Sequence, residues 1–277
     1  MLKANYHTHN RLCGHAIGTS FDYVKEAVRL GYEVIGLSDH GPIKREFMTA
    51  EEFKYNWLER QMTYDDFINI YLKEMDEVKK QYGDKIKIYA GLEIEYLYPF
   101  HDYFKSLREK LDYLNLGVHF YYHNDVITNS FDDVNYTNVY SYGLTAKKAM
   151  ETGLYQIMVH PDVYMYHYKS YDGSRNFDAE CAKTARLIIE AAIQNNVYLE
   201  INCGGLFKCS NGGGIVGQYA YPRDEFWEIA SEYKNLKVVI GIDAHDPKQL
   251  NAKEIDEAKA FAAKHHIKLC DFVDTIK

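Results

Sequence analysis

Short apolar runs alternate with longer helical patterns along most of this chain. In the clearest unit, Thr19 or Ser20 can begin a helix, Gly31 can end it, and the apolar run 34–38 follows at once. This alternation predicts βα units with a parallel sheet, and about seven units favour a barrel over an open sheet. We predict strands through residue 6 and at 34–38, 86–95, 114–119, 155–160, 197–202 and 238–243, with helices at about 64–82, 104–111, 178–195, 223–233 and 247–265.

The composition fits one globular domain. With 277 residues, of which 47% are hydrophobic and 26% charged, the chain can bury a sizeable core, and we expect a single domain over 1–277. The net charge of −8 argues against a nucleic-acid partner, because binding phosphate backbones requires clustered lysines and arginines. We find no signal peptide and no apolar run near the ~18 residues of a membrane span. The five cysteines are never spaced CxxC, which fits reduced thiols. We therefore expect a cytoplasmic protein without a membrane partner.

Residues of the types that bind metals stand at the carboxyl end of nearly every predicted strand. His7 and His9 end the first strand, and because alternate residues of a strand share a face, both can hold one ion. The carboxyl ends of barrel strands converge on one face, where active sites lie. The other strand ends carry Asp39 with His40, Glu93, His119, His160, Asn202, and Asp243 with His245.

The mixture of imidazole and carboxylate indicates the kind of metal. Such a set suits zinc, manganese or iron, whereas an all-oxygen set would suit magnesium or calcium. Glu93 or Asp243 could bridge two ions held ~3.5–4 Å apart, as two-metal hydrolases require. One histidine at a strand end is more often a structural residue with a hydrogen bond. The recurrence at successive strand ends is what favours a metal centre.

The other histidines do not follow this pattern. His123 would share a strand face with His119 if that strand continued, which makes it a candidate substrate contact, although a solvated loop is the alternative. We interpret the remainder as structural or surface residues: His101, His167, His265 and His266.

Seven motifs resemble, in order, those of the polymerase and histidinol phosphatase (PHP) family. They are HTH followed by His15, then SDH, GLEIEY, GVH, VHPD, EINCGG and GIDAH, and they cover residues 6 to about 246. Within that family, the chain looks like the stand-alone histidinol-phosphatases. The resemblance implies a distorted (β/α)7 barrel, similar to a TIM barrel.

The resemblance also implies up to three divalent ions (Zn, Mn or Fe). Carried over by position, the first ion would be held by His7, His9, Glu93 and Asp243, the second by Glu93, His119 and His160, and the third by His15, His40 and His245. Asp39 receives no ion, and we expect it either to orient an imidazole or to cap its strand.

The implied reaction is hydrolysis of L-histidinol phosphate, a step of histidine biosynthesis, by a metal-bridging hydroxide that attacks phosphorus. This small substrate carries a phosphate, an ammonium and an imidazole. The candidate contacts, each with an ordinary surface or rim position as its alternative, are Arg11, Arg45 and Arg223 for the phosphate, Glu95 for the ammonium, and Asn202 for the pocket wall.

Two other functions remain open at this stage. The chain could be a PHP phosphoesterase for another small monoester or a nucleotide, or a metal-binding PHP module without catalysis. The sequence defines neither the oligomeric state nor the physiological metal.

Overall fold

Seven parallel strands form the main sheet, and two further strands form a hairpin. The computed structural model describes residues 2–49, 61–218 and 221–276. The order in the main sheet follows the chain and omits the antiparallel hairpin of the fifth and sixth strands. The strands are β1 (Ala4–Asn5), β2 (Val34–Leu37), β3 (Lys87–Ile94), β4 (Tyr113–Leu116), β5 (Phe120–His123), β6 (Val126–Asn129), β7 (Ile157–Met158), β8 (Tyr198–Asn202) and β9 (Val238–Gly241).

The sheet closes between its first and last strands. Thr8 and Ala244, just beyond β1 and β9, form a parallel bridge, and His9 N donates to Ala244 O at 2.8 Å. Nearby, Ile242 N donates to the side chain of Asn5 at 2.9 Å. These contacts confirm the predicted seven-stranded barrel. It is distorted because the closing contacts lie outside the regular strands.

Helices follow the strands as the βα pattern requires. Thr19 and Asp22 form a capping box at the start of the first helix, and Gly31 ends it with a φ of 79°, as the sequence predicts. No helix in the described ranges is long and apolar enough to cross a membrane. The helices are α1 (Ser20–Leu30), α2 (Tyr64–Asp66), α3 (Leu72–Tyr82), α4 (His101–Arg108), α5 (Val139–Glu151), α6 (Ala179–Asn195), α7 (Cys203–Lys208), α8 (Asp224–Ser231) and α9 (Glu254–Lys264).

Some predicted helices differ in detail. The predicted helix 64–82 winds as a π-helix over Phe67–Tyr71, between α2 and α3. The last predicted helix is divided into a 3₁₀ turn, Pro247–Asn251, and α9. Gly83 ends α3 in a right-handed conformation, with a φ of −64°, in contrast to Gly31.

The segment after His119 holds structure that has no clear sequence periodicity. Asn124 and Asp125 have φ values of 50° and 62°, the conformation of a type I′ turn, and they join β5 to β6. Helix α5 follows and packs on α6, where Gly143 lies close to Thr184. Tertiary packing therefore stabilises a helix that its own pattern does not reveal.

Tyrosines fill the interior at the amino-terminal end of the barrel. The rings of Tyr6 and Tyr113 meet edge to face at 6.1 Å, although their strands are not neighbours in the sheet, so this contact crosses the interior. Gly36 and Gly91 leave room for Tyr113, since a Cβ at either position would lie within 2.4 Å of its ring or hydroxyl. The filled interior leaves the carboxyl end as the face where polar side chains can gather.

Candidate metal centre

The predicted ligands at the strand ends lie together at the carboxyl face of the barrel. His7, His9, Glu93, His119 and His160 are each at most 3% exposed. Two of the predicted ligands carry backbone strain, because His160 has a φ of 32° and Asp243 has a φ of 55°. Left-handed conformations of this kind cost about 1–3 kcal/mol and concentrate at functional sites.

The first predicted ligand set forms a compact group of four donor atoms. His7 Nε2 lies 3.1 Å from His9 Nε2, 3.2 Å from Glu93 Oε2 and 3.5 Å from Asp243 Oδ1. His9 Nε2 lies 3.3 Å from Glu93 Oε2 and 3.0 Å from Asp243 Oδ1. We call these four residues the first donor group.

These separations fit one metal ion. Ligand atoms ~2.0–2.1 Å from a tetrahedral zinc are about 3.3–3.4 Å apart. The two histidine nitrogens lie 3.0–3.5 Å from each other and from each of the two carboxylate oxygens, a range that includes this value. The donor types, two imidazole nitrogens and two carboxylate oxygens, also suit such an ion.

A second donor group uses the other oxygen of Glu93. Glu93 Oε1 lies 2.7 Å from His160 Nε2 and 3.1 Å from His119 Nε2, and the two imidazole nitrogens are 3.4 Å apart. The carboxylate of Glu93 thus directs Oε2 to the first donor group and Oε1 to the second. This is the arrangement of a carboxylate that can bridge two ions.

The third predicted set is less tightly gathered. The ring of His15 lies 5.2 Å from that of His40 and 4.9 Å from that of His245. The tighter group of ligand atoms consists of His9, His40 and His245, while His15 directs Nδ1 at the Cys13 carbonyl, 3.0 Å away. The three predicted residues therefore lie close together, and His9 is a fourth histidine beside them.

The charges of this cluster explain why it requires cations. Burial opposes ionisation of Glu93, but the positive charges of His119 and His7 hold its pKa well below 4.5. Burial likewise disfavours a charged His119, but Glu93 and Glu95 outweigh burial and raise its pKa to about 10. The buried carboxylates thus attract protons to the imidazoles when no other cation is present. A metal ion would displace these protons and supply the same compensation.

The pKa values of two neighbouring imidazoles, His245 and His40, are shifted in the opposite direction. Burial, followed by repulsion from His9, lowers the pKa of His245 to about 3. The same two causes hold the pKa of His40 well below 6.5. Both rings are therefore neutral near pH 7, which is the form that binds metals.

Glu200 supports both donor groups, and the sequence analysis missed it. Its Oε1 lies 2.8 Å from His7 Nδ1, and its Oε2 accepts hydrogen bonds from His160 N at 3.0 Å and Asn202 Nδ2 at 2.6 Å. A Cβ at Gly241 would lie 1.5 Å from Glu200 Oε1, so the neighbouring strand must carry glycine there. Glu200 stands between two apolar residues of β8, and all five residues of this strand are buried. A carboxylate within such an apolar strand is the sequence signal that could have identified it.

We expect Glu200→Gln to weaken metal binding by about 10- to 100-fold, because loss of a carboxylate that orients a metal-binding histidine has effects of that size. Titration of the metal-free variant with zinc, followed by competition with a chromophoric chelator, would measure this. Unchanged affinity would contradict the orienting role. Glu190→Gln, a change at an exposed residue on α6, is the control.

Glu95 and Asp39 also contact histidines that are predicted metal ligands. Glu95 is 2% exposed and its Oε1 lies 2.7 Å from His119 Nδ1. Glu95 is therefore buried beside His119 and does not have the exposed rim position that was its alternative. Asp39 Oδ1 accepts from His40 N at 2.9 Å and lies 3.5 Å from His9 Nδ1, a position suited to orienting His9.

The arginines predicted to contact phosphate either pair with a carboxylate or are exposed. Arg11 is paired with Glu74 at 3.1 Å, and its side chain is 44% exposed. Arg223 is buried and its guanidinium contacts Glu225 at 2.7 Å. Arg45 is exposed in the 3₁₀ turn Arg45–Phe47. The structure thus brings neither Arg11 nor Arg223 into the donor groups, since a nearby carboxylate engages each one.

The predicted pocket residues are divided between the hairpin and the strand ends. His123 ends β5, and its Nδ1 lies 2.9 Å from Ser141 Oγ on α5. Asn202 is buried, donates to Glu200 and caps α7 through Gly205 N. Asn202 therefore has a supporting position beneath the donor groups.

Three aromatic rings line the second donor group. Phe131 stacks on His119 with ring centroids 5.7 Å apart, and Tyr166 meets Phe131 at 6.0 Å. Tyr221 lies 5.7 Å from the ring of His160 and 6.5 Å from that of Tyr166. We call Phe131, Tyr166 and Tyr221 the aromatic wall. These residues have no distinctive sequence signal, because the chain contains 26 tyrosines and 13 phenylalanines.

This chain is similar in sequence to a known domain family and to several named proteins. The PHP domain profile matches residues 5–204. A Schizosaccharomyces pombe protein named "Probable histidinol-phosphatase" is 26% identical over 265 residues, which cover 88% of this chain and 81% of the relative. The Bacillus subtilis histidinol-phosphatase is 23% identical over 273 residues, covering 88% of this chain and 94% of the relative.

A solved structure shares the fold over nearly the whole chain. It is the histidinol phosphate phosphatase of Lactococcus lactis subsp. lactis in complex with Zn, L-histidinol and phosphate. The TM-score is 0.68 at 18% sequence identity, with 96% of this chain and 95% of that chain covered. The barrel described above is therefore a fold that this phosphatase also has.

Proposed function

This chain belongs to the PHP domain family, and we propose that it is a histidinol-phosphatase, which hydrolyses L-histidinol phosphate to L-histidinol and phosphate in histidine biosynthesis. One observation carries the chemistry. Glu93 directs its two oxygens to two separate groups of donor atoms with the spacing of metal ligands. The similarity to histidinol-phosphatases, which extends over most of the chain, favours this substrate. We expect such a biosynthetic enzyme to act in the cytoplasm.

Up to three divalent ions (Zn, Mn or Fe) would be held by the donor groups. The first group would hold one ion and the second would hold another, with Glu93 shared between them. His15, His40 and His245 would complete a third position next to His9. When bound, such ions lower the pKa of water and neutralise the charge of phosphoryl oxygens.

The side chains around the donor groups keep the ligands in position. Glu200 fixes the ring of His7 and the strained backbone of His160, and Glu95 fixes the ring of His119. Such contacts select the tautomer that leaves Nε2 free to bind a metal. Asp39 would do the same for His9 at a longer distance.

The aromatic wall suits the organic part of the substrate. Phe131 and Tyr166 are partly exposed next to the second donor group, and their flat rings can pack on the imidazole of histidinol phosphate. The ring of His123, on the hairpin, remains a proposed contact further from the metal ligands. No carboxylate is assigned to the substrate ammonium, because Glu95 is engaged with His119.

The substrate assignment can be tested by comparing kcat/KM for L-histidinol phosphate, other cellular phosphate monoesters and a mononucleotide. We expect kcat/KM for histidinol phosphate to exceed the others by at least about 100-fold, which corresponds to about 2.7 kcal/mol of preferential transition-state binding. Equal values for several monoesters would instead indicate a PHP phosphoesterase of another specificity. A protein that binds metals but hydrolyses none of them would be a non-catalytic module.

A further inference from the structure

The proposed substrate is an anion, yet the candidate site is lined by carboxylates. Glu93, Glu95, Glu200, Asp39 and Asp243 are all buried there. A cationic side chain next to the donor groups would offset the repulsion between these carboxylates and a phosphate group. Two of the arginines predicted for the phosphate, Arg11 and Arg223, are paired with the carboxylates of Glu74 and Glu225. A lysine that the sequence analysis did not consider, Lys208, has the required position.

Helix α7 brings Lys208 to the site through two glycines. A Cβ at Gly204 would lie 2.2 Å from Asp243 Oδ2, so the helix begins in direct contact with this carboxylate. Lys208 comes four residues after Gly204 and therefore lies on the same face of the helix. The side chain of Lys208 thus extends along the face that α7 presents to Asp243.

The position of Lys208 is fixed by Tyr221. Lys208 Nζ donates to Tyr221 Oη at 3.0 Å, and the ammonium lies 5.3 Å from the centre of the tyrosine ring. A Cβ at Gly205 would lie 1.7 Å from the carbonyl oxygen of Tyr221, so the helix and this tyrosine are in close contact. Tyr221 in turn packs against His160. The lysine and the second donor group therefore share one neighbour.

The charge of Lys208 is well maintained in this position. Tyr221 raises its pKa above 10.5, and Asp243 does so as well, against the opposing effect of burial. Within the described part of the chain, Nζ donates to the neutral hydroxyl of Tyr221 and to no carboxylate. An ammonium has three donors, so others remain for an incoming anion.

We propose that Lys208, positioned by Tyr221, binds the phosphoryl oxygens of the substrate and sets the affinity of the site for phosphate monoesters. This inference rests on the proposed function, because it assumes that a phosphate group occupies the space next to the donor groups. Tyr221 acts through Lys208 and is a positioning residue.

The test is the binding of inorganic phosphate to metal-loaded protein, measured by isothermal titration calorimetry. Lys208→Met removes the charge and retains the apolar stem, and we expect it to raise the Kd for phosphate by about 10- to 100-fold, the range for a hydrogen bond to a charged group. Lys208→Arg should restore part of the affinity, and Tyr221→Phe should cause a smaller loss. The metal content of each variant is measured in parallel.

Lys237→Met is the matched control. Lys237 also lies over a tyrosine ring, Tyr198 at 5.1 Å, but it precedes β9 at the opposite end of the barrel. Equal phosphate affinity of Lys208→Met and the wild type would overturn the proposal. Loss of metal from Lys208→Met would also overturn it, because Lys208 would then act through the ligands. If histidinol phosphate is not the preferred substrate but Lys208→Met still loses phosphate binding, the substrate assignment fails and the role of Lys208 stands.

Discussion

Removal of divalent metal is expected to abolish the phosphatase activity, with a loss on the order of a thousand-fold or more in kcat/KM. Without metal, the site contains the carboxylates of Glu93 and Asp243, which repel a phosphate dianion. It would also lack the means to activate water near neutral pH. Dialysis against a chelator, followed by addition of manganese or zinc, measures both the loss and the recovery.

The amount of metal that restores activity tests the multi-ion centre directly. We expect recovery to require at least two ions per chain, because the two donor groups share one carboxylate. Full activity with fewer than two ions per chain would contradict this. The melting temperature should also fall on metal removal, since an ion that binds only the folded state stabilises it by mass action.

Replacement of Glu93 is expected to have the second large effect. Glu93→Gln substitutes an amide for the carboxylate that faces His7 and His9 with one oxygen and His119 and His160 with the other. Both donor groups would lose negative charge and a ligand at the same time. We expect kcat/KM to fall on the order of a thousand-fold and the first two ions to be bound much more weakly.

Glu95→Gln is the matched control for Glu93→Gln. Glu95 is two residues away in the chain and equally buried, and its carboxylate contacts one histidine, His119, on the nitrogen that faces away from Glu93. An orienting role predicts a loss of only about 10- to 100-fold, with metal retained at saturating concentration. If the two variants behaved alike, Glu93 would have no special bridging role. Metal content by elemental analysis and kcat/KM on histidinol phosphate are the two measurements.

The sequence predicted most of the barrel and missed the parts that depend on packing. The strands and helices with clear periodicity, such as α1 with Thr19 and Gly31, lie where expected. Helix α5 and the hairpin were missed, because their residues show no simple pattern and are stabilised by α6 and by each other. Arg11 illustrates the opposite error. Its position between two histidines suggested a phosphate contact, whereas the nearest carboxylate, Glu74, lies 63 residues further along the chain.

By itself, the sequence determined which residue types end each strand. The spacing of His7 and His9, and the recurrence of His, Glu and Asp at later strand ends, required no coordinates, because strand alternation and barrel convergence are general properties. The tertiary structure decided which residues each of these side chains contacts. The two oxygens of Glu93 face different donor groups, and Glu200 supports His7 and His160. Helix α7 brings Lys208 towards Asp243. These relations depend on strand register and on how closely glycines allow backbones to approach. Both are set by contacts between distant parts of the chain, about which local periodicity contains no information.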